Sequence, residues 1–365
     1  MKKTVAVALS GGLDSAIAAA LLKEQGYKVI GVHFLTGYEG PFEAPFPPRP
    51  PALLQAKAQR AAHQIGIPLE VLDCRQPFRR EVVDYFVDTY RSGQTPNPCV
   101  VCNERIKFGF VLEHAKALGA SALVTGHYAR IGREEGGELS LLRGMDHGKD
   151  QSYFLARLTQ RQLSQAILPL GSYTKDQVRD MARVQGLTAF VEGESQDLCF
   201  IRQPSYQAFL CNLAEFVRKP GAIVNSRGDV LGTHQGLHAY TIGQRRGIGI
   251  PGPEPYYVVR LDNEQNRLIV GTESELARKA CVVVDINWIN ARVPDKPMSV
   301  HTRIRYRHRQ AASVMTPLDS HRAKVVFSKP QFAITPGQAA VFYQGERVLG
   351  GGWIDTGGAE DRERG

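Results

Sequence analysis

Six cysteines stand at positions 74, 99, 102, 199, 211 and 281 of this 365-residue chain. Cys99 and Cys102 form a C-x-x-C pair inside TPNPCVVCNERIKFG, residues 95–109. Such a pair suits a zinc site, a redox couple, cluster ligation or a nucleophile, and spacing alone does not choose. Cys102 precedes a helical pattern at 104–118 with Arg105 and Lys107 close by. A helix N-terminus and nearby cations lower a thiol's pKa, so Cys102 is expected to be reactive. Cys199, in ESQDLCFI, has polar residues before it and apolar ones after, and is also read as functional. Cys74, Cys211 and Cys281 are expected to be ordinary buried thiols. With no second C-x-x-C or H-x-x-H nearby, zinc is disfavoured.

A second chemical signal lies in VAVALSGGLDSAIAAALLKEQG, residues 5–26. A β-run ends in Ser10-Gly11-Gly12-Leu13-Asp14-Ser15 and a helix follows at once. The glycines let the backbone turn its N–H groups inward, the helix N-terminus adds positive potential, and Ser10 and Ser15 offer hydroxyls. This is a phosphate cradle without the G-K-[ST] of a Walker loop. A third signal is TRIRYRHRQ, 302–310: as a strand it would place Arg303, Arg305, Arg307 and Arg309 on one face, ready for phosphates. The formal net charge of +9 and pI near 9.3 favour a polyanionic partner such as a nucleic acid.

These groups need a frame. Strand patterns near 4–9, 28–34, 69–72 and 122–125 alternate with helical patterns near 14–25, 53–65, 78–91 and 104–118, with Gly26, Gly66 and Gly119 at the expected C-caps. That alternation predicts an α/β parallel sheet wound by helices, with ligands at the carboxyl ends of the strands. PFEAPFPPRPPA, 41–52, holds six prolines and is expected to be an extended loop. Short helices are predicted at 176–185 and 206–218, then hairpins in NSRGDVLG, GQRRGIGIPG and LDNEQNRLIVG. Beyond about 276 the pattern becomes short β-runs, a small barrel-like domain. The expected division is 1–204 catalytic, 205–275 small central domain, 276–358 C-terminal β-domain and 359–365 polar tail. The longest apolar runs are strand-length, and Met1-Lys2-Lys3 precedes only a short run, so a cytoplasmic location without membrane insertion is expected.

The S-G-G-x-D-S loop resembles that of the ATP pyrophosphatase (PP-loop) superfamily, which activates a carbonyl or carboxyl oxygen as an adenylate, normally with Mg2+. The chain as a whole resembles the bacterial tRNA-specific 2-thiouridylase family. ALSGGLDS (8–15), TPNPCVVCNERIKFG, VTGHYAR (124–130), GKDQSYFL (148–155), DLCFI (197–201), HAYTIGQRRGIGI (238–250) and TPGQAAVFY (335–343) carry the likeness. The resemblance implies that Ala8, Leu9, Ser10, Gly11, Gly12, Leu13, Asp14 and Ser15 hold ATP, with Phe34 and Gly126 near the adenine. Asn97, Pro98 and Cys99 would lie against the target base. His127, Lys149, Asp150, Gln151, Arg305, Tyr306 and Gln338 would contact tRNA. Cys102 would be the nucleophile and Cys199 the carrier of a persulfide, with a disulfide between them closing the cycle. The product would be 2-thiouridine at position 34 of the tRNAs for Lys, Glu and Gln, with a desulfurase or relay protein as sulfur donor.

This chain departs from the family where many members carry aspartate, at Cys99. Cys99, Cys102 and Cys199 could then ligate a [4Fe–4S] cluster, as in other PP-loop tRNA thiolases. Remaining alternatives are a 2-thiocytidine-type thiolase, a lysidine-type synthetase, a small-molecule synthetase, or a non-catalytic RNA-binding protein with a structural metal. The last leaves the SGGLDS loop unexplained.

Overall fold

A computed structural model describes residues 2–39, 52–187, 198–203, 205–213 and 219–355. The proline-rich segment, apart from Ala52, and the polar tail lie outside the described residues, as do 188–197, which include the first residue of DLCFI, and 214–218, the end of the helix expected at 206–218. The first sheet is built from β1 (Thr4–Ala8), β2 (Lys28–Leu35), β3 (Leu69–Asp73), β4 (Leu123–Val124) and β7 (Ala166–Ile167), in the order β3-β2-β1-β4-β7. Every pairing in it is parallel. Helix α1 (Leu13–Glu24) follows β1 and α2 (Ala52–Ile65) follows β2. Gly26, Gly66 and Gly119 all take positive φ just past helix ends, as left-handed C-caps do.

β1 is buried along Val5, Ala6 and Val7, and α1 is lined by buried Ala16, Ala18 and Ala19, so small side chains bring the helix close against the sheet. The chain leaves β1 for β2 on one side and later returns to β4 on the other. The carboxyl ends of β1 and β4 therefore flank a switch in winding direction, where open parallel sheets bind ligands. Two longer helical runs, 75–91 and 98–117, lie between β3 and β4; each includes a π-helical stretch, Arg79–Val83 and Cys102–Val111. α3 (Lys175–Val184) and α4 (Tyr206–Asn212) complete the helices used below.

The central sheet comprises β8 (Gly221–Asn225), β9 (Val230–His234), β10 (Tyr257–Asp262) and β11 (Arg267–Gly271), ordered β10-β11-β8-β9 around Ile223, Val258, Leu268 and Val270. Two of the three expected hairpins are β8–β9 and β10–β11, whereas GQRRGIGIPG, 243–252, forms turns without paired strands. Six strands then form a closed barrel: β12 (Ala277–Trp288), β13 (Met298–Arg303), β14 (Ala311–Pro317), β15 (Ala323–Phe332), β16 (Ala339–Gln344) and β17 (Arg347–Ile354), with β12 pairing β17 to seal it.

The sequence pattern missed a hairpin, β5 (Ala129–Arg133) and β6 (Leu139–Arg143), that leaves the first sheet and adds β6 to β17 at Leu141↔Val348. One core consequently runs from Ala6 through Phe86, Cys102 and Tyr153 to Val341 and Tyr343 of the barrel.

The arginine row is not a strand face. β13 ends at Arg303, and Ile304–Gln310 form a loop. Arg303 turns inward to the buried carboxylate of Asp150 at 3.2 Å and lies over the rings of Tyr153 and Tyr306. Arg305 is half-buried and donates to Phe332 O, whereas Arg307 and Arg309 are exposed. A guanidinium that reaches a buried carboxylate gains more than one held in a solvated row, so the alternation breaks.

Candidate active site

The loop between β1 and α1 closes on itself. Gly11 has φ +79°, and a Cβ there would lie 2.7 Å from Lys57 Cβ and 2.9 Å from Ala58 N, so glycine is required. The Ser10 and Ser15 hydroxyls are 3.1 Å apart, Gly12 N donates to Ser10 Oγ, and Ser15 Oγ donates to Gly12 O. The loop is tied to β2 through Leu9 N to Val32 O and a bond between His33 Nδ1 and Leu9 O. Phe34, half-buried, is near the end of that same strand.

Across the switch point, Thr125-Gly126-His127-Tyr128 leaves β4 and packs on the start of α1. A Cβ on Gly126 would lie 2.8 Å from Asp14 C. Tyr128 OH donates to Asp14 Oδ1 at 2.9 Å, and Lys175 Nζ reaches both Asp14 oxygens at 2.6 and 2.8 Å. Burial and the Asp14 charge push the Tyr128 phenol well up, keeping it a donor. Gln151 fixes Tyr128 from behind by accepting from its N–H and donating to its C=O.

The thiols belong to the neighbouring face. Cys102 is buried and opens the π-helical stretch Cys102–Val111, which continues a helical turn begun at Pro98. It is thus inside a helix rather than at its N-terminus, and the expectation of an acidified thiol is corrected. Burial pushes the Cys102 thiol up to about 12, with Lys107 the largest opposing influence. In an α-helix, residues five apart point about 140° away from each other. The wider turn of a π-helix brings such residues toward the same side, and Lys107 is the cation that opposes the effect of burial on the Cys102 thiol. The same ammonium acts on Cys199 and on His127. Cys199 is exposed as a residue, yet its thiol is packed closely enough that burial raises its pKa; Lys107 and Arg202 pull it down. Cys102 in turn feels Cys199, Cys99 and Cys74, so thiols from distant motifs share one electrostatic neighbourhood. Cys74 and Cys281 are buried as expected, but Cys211 is half-buried, 3.6 Å from His238 Nε2.

The barrel clamps the TPNP segment from outside. Thr95 N donates to Pro336 O, and Gln338 Nε2 donates to Thr95 O and Pro96 O. Asn97 is buried: Tyr85 OH accepts from its N–H, and its Nδ2 donates to Tyr153 OH, which donates on to Ala339 O. Pro98 is buried too, while Cys99 is partly exposed. Arg157 joins Glu104 of the π-helical stretch to Asp285 of β12. Among residues expected at tRNA, His127 is buried against Thr125 Oγ1 at 2.7 Å, and burial holds it neutral. Asp150 accepts from Gly144 N and Ser152 N and pairs with Arg143 and Arg303. Its carboxylate organises cations inside the protein. Lys149 is half-buried, and Tyr306 packs on Phe154 at 4.4 Å.

Comparison with known proteins adds to this geometry. A family model described as "tRNA methyl transferase HUP domain" matches residues 3–203, a "tRNA methyl transferase PRC-barrel domain" 207–272 and an "Aminomethyltransferase beta-barrel domain" 278–354. The chain is 46% identical to the tRNA-specific 2-thiouridylase MnmA of Geobacter metallireducens over 97% of each chain. It is 48% identical to that of Moorella thermoacetica, covering 96% of this chain and 99% of the relative. The chain belongs to the tRNA-specific 2-thiouridylase family.

For a 2-thiouridylase the departure at Cys99 raises the question of a cluster. Among the described residues, no group of three or more His, Cys, Asp or Glu side chains is arranged to hold a metal ion. The structure thus lends no support to a [4Fe–4S] ligand set on Cys99, Cys102 and Cys199, or to a structural metal there. Likewise, no helix among those residues is long and apolar enough to cross a membrane. Sequence reasoning missed Lys175, Tyr128 and Tyr153 as site residues. Both tyrosines lie inside quoted motifs, but nothing local marks Lys175, whose partner Asp14 is 161 positions away.

Proposed function

We propose that this protein is an ATP-dependent tRNA-uridine 2-sulfurtransferase acting on uridine 34 of the tRNAs for Lys, Glu and Gln. The observation that carries the reading is the match along 96–97% of the chain to relatives named tRNA-specific 2-thiouridylase at 46–48% identity, and the glycine-rich loop at the sheet's switch point supports it. A pyrimidine carbonyl oxygen leaves poorly as oxide and well as AMP. Uridine O2 attacks the α-phosphorus of ATP, and pyrophosphate departs. The terminal sulfur of a Cys199 persulfide then adds to C2, and AMP leaves. The Cys102 thiolate attacks Cys199 Sγ, breaking the S–S bond. Its electron pair stays with the sulfur on C2 as the thiocarbonyl, and a Cys102–Cys199 disulfide remains for an external thiol to reduce.

Ser10 to Ser15 hold the phosphates through loop amides and hydroxyls. Asp14, the loop's own carboxylate, would be the residue to hold Mg2+, and the ion would supply charge neutralisation at the phosphates. The sulfur arrives on Cys199 from a desulfurase or relay protein. The same reading divides the chain at 1–204, 205–275 and 276–358, with a tail at 359–365, supported by the three sheets and the three family matches.

The test is incubation of the purified protein with unmodified tRNA, ATP and a persulfide donor, followed by mass spectrometry of the nucleosides. Cys102→Ser and Cys199→Ser are each expected to abolish 2-thiouridine while tRNA binding persists. Full activity in either variant overturns the sulfur chemistry. Absence of pyrophosphate release with every tRNA favours a binding protein.

A further inference from the structure

We propose that Lys175 is a phosphate-binding residue of the nucleotide site, held on Asp14 until the triphosphate arrives. The inference rests on the reading that the Ser10–Ser15 loop binds ATP.

Asp14 is the second residue of α1, next to the inward-facing amides of the loop. An ionised carboxylate there opposes a polyphosphate unless a cation accompanies it. Before the nucleotide and its Mg2+ arrive, Lys175 supplies that cation: Nζ sits 2.6 and 2.8 Å from the two carboxylate oxygens and 5.6 Å from the centre of the Tyr128 ring. Its side chain is 16% exposed, against 34% for Asp14, so the pair lies at the edge of the site with the carboxylate the more open partner.

The residue's base is rigid. Lys175 opens α3, whose N-terminus is closed by a Thr174–Gln177 capping box, and its N–H donates to Asp146 Oδ2 at 3.0 Å. The backbone is fixed while the four-carbon stem can swing, so the ammonium can exchange a carboxylate for phosphate oxygens without moving the helix. No other basic side chain among the described residues forms an ion pair with Asp14.

The competing account is a strut that merely joins α3 to α1. Calorimetric titration of the full chain with ATP, inorganic pyrophosphate and AMP in magnesium buffer separates the two. Lys175→Met is expected to weaken ATP and pyrophosphate about tenfold to about a hundredfold, the range for losing a charge-assisted bond, and to leave AMP within about twofold. Lys175→Arg is expected to restore most of the loss. Unchanged ATP affinity in Lys175→Met, or equal weakening of ATP and AMP, overturns the proposal in favour of the strut. Failure of the unsubstituted protein to bind ATP at all would instead strike the nucleotide reading beneath it.

Discussion

Cys102 is expected to be a poor nucleophile in the resting enzyme, and the pH dependence of its alkylation tests this. Its thiol is pushed up to about 12 from an ordinary 9.0. Three units are about a thousandfold in thiolate fraction at pH 8, where one thiol in roughly ten thousand would be ionised. The assay is iodoacetamide trapping with peptide mapping between pH 7 and 11, on the folded chain and on the chain in guanidinium. The folded rate constant at Cys102 should rise about tenfold per pH unit without levelling through about pH 10. The unfolded chain should level off near pH 9. Poor access lowers the whole folded curve but leaves the position of its plateau unchanged, so the two causes of slowness separate. Lys107→Met removes the main influence favouring the thiolate and should slow the folded reaction further, with Lys107→Arg close to the original. A folded plateau at or below pH 9 would refute the argument, because helix position and cations would then outweigh burial. Such a thiol is protected from stray disulfides until a persulfide or substrate alters its surroundings.

Three further outcomes concern the barrel and the loop after β13. Gly337 has φ +85°, and a Cβ there would lie 2.8 Å from Thr95 O, so Gly337→Ala should cost about 1–3 kcal/mol in urea unfolding and lower thiolation by loosening the TPNP segment; unfolding indistinguishable from the original would count against the clamp. Arg303→Ala leaves the buried Asp150 carboxylate short of a partner and should destabilise by about 3 kcal/mol, whereas Arg307→Ala with Arg309→Ala should leave stability within about 0.5 kcal/mol and flatten the salt dependence of tRNA binding. An unchanged salt slope would assign the exposed pair to solvent.

Much of the α/β frame was legible because its signals are local. Apolar strands bounded by Gly26, Gly66 and Gly119 identify their own elements, and the loop at Ser10–Ser15 declares itself within six residues. Elements that take their form from a distant partner were not legible. The β5–β6 hairpin is stabilised by pairing with β17, and 304–310 leaves the strand once Arg303 turns to Asp150. The reversed direction of the Cys102 shift has the same origin: a helix end and two cations are visible in sequence, while the packing that desolvates the thiol is contributed by other elements.

Residue order is enough to show the chemistry available here: a phosphate cradle, candidate reactive thiols and a basic chain with its motifs in family order. Tertiary structure alone decided how these groups act on one another. It set Lys175 on Asp14, buried the Cys102 thiol within the influence of Lys107, and folded the barrel onto the TPNP segment. Residue types and short spacings fix intrinsic reactivity, but charge coupling and desolvation depend on distances through space, which chain separation does not encode.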